Sequence, residues 1–137
     1  MESGTGAGTT WLRAAILFGL GYLLVGRLFA VPGEHAQAWR LAAWVVSLVL
    51  FTAHFRYERG RAATPPRAVA LHVATAVAIG AFALAVALTI RSIATQGSLG
   101  ARWVLALVLF PAVTGVPAFI VALIAAVVDA RRDGRTG

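Results

Sequence analysis

Two imidazoles and two carboxylates, His54, Glu58, His72 and Asp129, are the side chains of this sequence best suited to act together. Such groups can ligate a divalent cation or relay a proton, and two histidines on adjacent helices can grip a haem iron. Their spacing argues against both roles, because no two of them form a metal-binding pair such as His-x-x-x-His. Polar residues at the ends of apolar helices need no ligand to explain them. The set therefore reads as interfacial polarity, and no metal or other cofactor is expected.

No nucleophile motif, phosphate-cradling glycine loop, pair of catalytic carboxylates or dinucleotide fingerprint occurs, so no enzymatic activity is expected. The absence of cysteine removes disulfides, thiolate metal sites and thiol redox chemistry.

Two patterned helix faces carry most of the remaining polarity. Arg40, Trp44, Ser47, Phe51, His54 and Glu58 recur at steps of four and three, which places them on one side of a helix. His72, Thr75, Ile79, Phe82, Val86 and Thr89 repeat that spacing more faintly. Both faces are expected to turn into a bundle, since polar groups in hydrocarbon must find partners there. Ala70, Ala74 and Ala78, Ala76 with Gly80, and Gly19 and Gly26 around Tyr22 supply small residues of the kind that let membrane helices approach closely. A third feature is Pro111, Gly115 and Pro117 inside one apolar run. Each proline removes a backbone donor and crowds the preceding turn, so this run is expected to kink; broken helices of this kind can line substrate sites in transporters, although a purely structural kink is the plainer reading.

These residues are positioned by four apolar stretches that take up most of the 137 residues. Only 12% of the chain is charged and 60% is hydrophobic, with a mean hydropathy of +0.84, whereas soluble domains are charged at about 25% of positions. Crossing a bilayer takes about 20 apolar residues, and four windows qualify: 11–31, 38–57, 68–90 and 103–128. The expected fold is all-α, an up-down-up-down bundle of four transmembrane helices in one domain, with short loops, a kinked fourth helix and flexible tails at 1–9 and 131–137. Arg13 and Arg27 interrupt the first window near its ends, where long stems can lift their guanidinium groups to the headgroups. An Ala-x-Ala at 36–38 follows it, but no positive charge precedes Arg13, so an uncleaved helix fits better than a signal peptide.

Arginine also sets the expected orientation. Arg13, Arg56, Arg59, Arg61, Arg67, Arg131, Arg132 and Arg135 fall on the side of the termini, against Arg27, Arg40, Arg91 and Arg102 on the other. Positive charge is retained in the cytoplasm, so both termini are expected there, in a bacterial inner membrane, with His54, Glu58, His72 and Asp129 at the cytoplasmic mouth. Trp11, Trp39, Tyr57 and Trp103 lie at window ends, as interfacial aromatics do. The net charge of +7 is dispersed over the loops and gives no reason to expect nucleic acid. The expected partners are the lipid bilayer and either a second copy or another membrane protein. Function is read as that of a non-catalytic structural or accessory subunit acting by helix packing; the alternative is a homo-oligomeric small transporter or channel, with a wet cavity lined by Arg40, Ser47, His54, His72 and the Pro111–Pro117 break.

Overall fold

Proline and glycine divide the chain where the apolar windows end. The computed structural model describes residues 5–28, 33–61, 64–97 and 101–134, and the regular elements among them are helices: α1 (Thr5–Leu28), α2 (Ala36–Arg59), α3 (Pro66–Gln96) and α4 (Ala101–Asp133). Pro65 is the extended N-cap of α3 and Pro66 opens the helix, where a missing N–H breaks no hydrogen bond. Gly97 ends α3 with φ 72°, its N–H donating to the Ile93 carbonyl at 2.9 Å, a left-handed cap that disfavours any side chain. The end of the first window at 29–31, Arg135 and the tail segments 1–4 and 135–137 lie outside the described residues.

The helices outrun the apolar windows. α1 begins at Thr5, inside the segment read as a flexible tail, and α4 continues to Asp133, past the 128 boundary and into the other expected tail. Hydropathy marks where side chains leave hydrocarbon, whereas the backbone ladder continues until something stops it, and no proline lies in 5–10 or 129–133. Each helix includes a stretch long and apolar enough to cross a bilayer, which suggests a multi-pass membrane protein. α4 is helical through Pro111 and Pro117 without interruption.

Side-chain pairings fix the helix directions. α1 and α3 run parallel, with Trp11 on His72, Gly19 against Ile79 and Gly26 against Leu84 in the same order along both. α2 runs against α1, pairing Thr10 with Arg61, Phe18 with His54 and Gly21 with Leu50. α4 opposes α3: Gly115 abuts Ala78, while Ala122 shares a buried core with Val69, Ala70 and Val73.

Small residues set the α1–α3 crossing. A Cβ on Gly80 would lie 2.5 Å from the Tyr22 Cβ and 2.8 Å from the Gly19 carbonyl oxygen, so the two backbones meet where only hydrogen fits. α3 is the central element, packed closely on α1 and α4, and α2 is more lightly held. Along the patterned face of α2, His54 and Glu58 are fully buried and Phe51 partly so, but Arg40 is exposed and Trp44 is 77% exposed. The face does turn toward the other helices, since Arg40, Trp44, Ser47 and Phe51 line a cleft with α1, α3 and α4, but its first part is left uncovered because α2 scarcely touches α4. Elsewhere large apolar side chains such as Leu17, Leu48 and Val108 stand exposed, a surface suited to hydrocarbon.

Candidate functional site

The periodicity of α2 puts Glu58 one turn beyond His54, and the short α2–α3 connection returns the chain so that His72, in the second turn of α3, reaches the same level. His72 Nδ1 lies 2.7 Å from Glu58 Oε2. With Glu58 ionised the carboxylate can only accept, so the ring donates from Nδ1. Arg61 Nη1 stands 3.7 Å from the other oxygen, Oε1, close enough for Coulombic attraction, and His54 Nε2 stands 3.8 Å from it; neither makes a direct hydrogen bond. A buried carboxylate alone costs several kcal/mol, on the order of 3–5 when a partner is removed; the His72 hydrogen bond and the nearby Arg61 guanidinium offset part of that, and Oε1 keeps no hydrogen-bond partner.

Aromatic rings close the cluster. Trp11 stacks on His72 with centroids 4.5 Å apart and planes 6° apart, and Phe18 stacks on His54 at 4.2 Å and 11°. Arg61 lies over the Tyr57 ring and donates from Nη2 to the Thr10 hydroxyl. Glu58, His54 and His72 thus join α2 to α3, while Thr10, Trp11 and Phe18 bring α1 onto the same knot. Comparisons with protein-family models, with characterised proteins and with solved structures found no match. The chemistry of the site is consequently read from its own geometry.

That geometry can hold or pass a proton within the cluster, and it fastens three helices at one end of the bundle. Among the described residues no three His, Asp or Glu side chains converge as a metal ion requires. Asp129, partly exposed on α4, makes none of the Glu58 contacts. In the antiparallel register set by Gly115 on Ala78 and Ala122 beside Val69 and Val73, Asp129 lies about two turns beyond the level of His72, and α4 packs on α3 and hardly meets α2. Thr75 is turned back on its own helix, its hydroxyl donating to the Leu71 carbonyl at 2.7 Å.

Arg40, Ser47 and Pro117 instead line the second feature, a laterally open cleft of about 1080 Å³ between α2 and α4, floored by α3 and α1. Small-molecule pockets commonly span about 300–1,000 Å³. His54 and His72 are not among its lining residues. Thr114 lines it with its hydroxyl bonded back to the Phe110 carbonyl at 2.7 Å. Pro117 denies the Val113 carbonyl its helical donor, and both residues border the cleft. Gly115 is buried against Ala78, and Pro111 is partly buried away from the cleft lining.

Periodicity missed three participants. Trp11 and Phe18 share a face of α1 two turns apart, and Arg61 follows Glu58 by three residues, but their contact with the cluster depends on how α1 lies against α2 and α3. Tyr22, which lines the cleft, gave no signal beyond its flanking glycines.

Proposed function

We propose that this chain is a non-catalytic accessory subunit of a bacterial inner membrane, acting by helix packing against another membrane protein or a second copy. The observation that carries the reading is the inward turn of His54, Glu58 and His72. Glu58 takes His72 at 2.7 Å, with His54 and Arg61 at its other oxygen and two rings stacked on the imidazoles. Polar side chains spent this way hold membrane helices together rather than face a substrate. The arginine bias of eight to four supports both termini in the cytoplasm, and Pro111 with Pro117 supports a bend in α4.

The cleft favours a second reading, a homo-oligomeric transporter, because it gathers Arg40, Ser47 and Pro117 in one recess; against it stands the placing of His54 and His72 outside that recess. Native mass spectrometry of the complex extracted from its own membrane separates the two. The accessory reading expects a stoichiometric second membrane protein or a simple dimer without transport in proteoliposomes. Substrate flux that is lost in Pro117→Ala would establish the transporter instead, and a solitary monomer would sink the accessory reading.

A further inference from the structure

The α2–α4 cleft combines one cation with a long apolar bed. Among the described residues Arg40 is its only charged lining residue and has no ion-pair partner; it is exposed and stands about one turn inside the start of α2. Tyr22 lines the cleft less than two turns from the end of α1, and its hydroxyl is buried without a hydrogen-bond partner. A buried hydroxyl left unmatched costs about 1–3 kcal/mol. Deeper in, the walls are apolar, through Leu48, Phe51, Val77, Leu84 and Val121.

We propose that this cleft holds one anionic phospholipid, with its phosphate on Arg40, its ester oxygens at the level of Tyr22 and an acyl chain along the apolar floor. Three arguments select this occupant. A guanidinium at headgroup depth suits a phosphate, which it can bind through two parallel N–H donors. The unmatched phenol lies where a glycerol ester supplies an acceptor. The bed beyond them is apolar from Leu48 to Val121 and open sideways, so an acyl chain can enter it from the bilayer.

Native mass spectrometry of the full chain, delipidated in detergent and titrated with dioleoylphosphatidylglycerol or dioleoylphosphatidylcholine, reads the site. One phosphatidylglycerol should be retained at concentrations where phosphatidylcholine is lost. Arg40→Gln should weaken retention about fivefold, while Arg91→Gln, which removes an exposed arginine outside the cleft, should leave it unchanged. Ala118→Trp, which fills the cleft wall, should abolish retention with helix content preserved by circular dichroism. Equal retention of the two lipids, or equal losses from the two arginine variants, overturns the proposal. So does a lipid-free dimer that Ala118→Trp splits into monomers, since the cleft would then be an interface between copies.

Discussion

Replacing Gly80 with alanine builds a methyl group 2.5 Å from the Tyr22 Cβ and 2.8 Å from the Gly19 carbonyl oxygen. Both obstacles belong to the backbone or its first side-chain atom, so no rotamer change relieves them. Restoring ordinary contact at 3.4 Å requires α1 to retreat by about 0.9 Å, and a gap of about 0.5–1 Å forfeits a quarter to a half of each dispersion contact along the crossing. Overpacking of this kind costs about 1–3 kcal/mol, and the better helix propensity of alanine returns at most about 1 kcal/mol. The expected net loss is about 1–2 kcal/mol. Gly21→Ala provides the internal contrast, because its new Cβ meets only the Leu50 methyls at 3.5 and 3.6 Å; it should be neutral or stabilising by up to about 1 kcal/mol. Unfolding in mixed micelles with increasing SDS, followed by tryptophan fluorescence, compares the two. Equal stability, or a Gly80→Ala protein tougher than Gly21→Ala, would refute the reading of α1–α3 as a glycine-dependent crossing.

His72→Phe keeps a ring for Trp11 to stack on but strips Glu58 of its 2.7 Å partner. It should lower stability in the same assay by about 3–5 kcal/mol, and adding Glu58→Leu should recover most of the loss; no recovery would mean that the carboxylate is not what His72 serves. Gly97→Ala forces a Cβ into φ 72° and should cost about 1 kcal/mol, visible as a lower midpoint, whereas an unchanged midpoint would deny the left-handed cap any weight. Because the chain has no cysteine, single cysteines report orientation cleanly. Glu34→Cys should react with an impermeant maleimide on intact cells, and Gly134→Cys only after permeabilisation; the reverse pattern would invert the topology.

The four helices were legible because span length and hydropathy are local properties, and so were their main breaks, at Pro65, Pro66 and the Gly97 region. Residues sharing a face were legible too: His54 and Glu58 are one turn apart on α2, and antiparallel return through a short connection brings His72 to them. What periodicity cannot tell is whether a helix stays against its neighbours along its whole length. Arg40 and Trp44 belong to the same face as His54 yet lie exposed, since α2 has no close glycine crossing like that of Gly19 and Gly80 to bind its first turns. Asp129 stands apart for a related reason, since the register of α4 on α3 carries it about two turns past His72. The stacking of Trp11 and Phe18 likewise depends on the parallel alignment of α1 with α3, which two distant stretches of sequence do not announce.

The order in which the helices are made gives that parallel pairing a temporal meaning. When α1 and α2 have left the ribosome, Gly19 faces no partner and Glu58 has only His54 and Arg61 for company; the residues that lock both, Gly80 and His72, belong to α3. Until the third helix follows, the first hairpin has only its own contacts, Phe18 on His54, Thr10 with Arg61 and Gly21 against Leu50. One helix, α3, thus carries the missing partner of both the glycine crossing and the carboxylate knot, Gly80 and His72, so truncation before it removes both together.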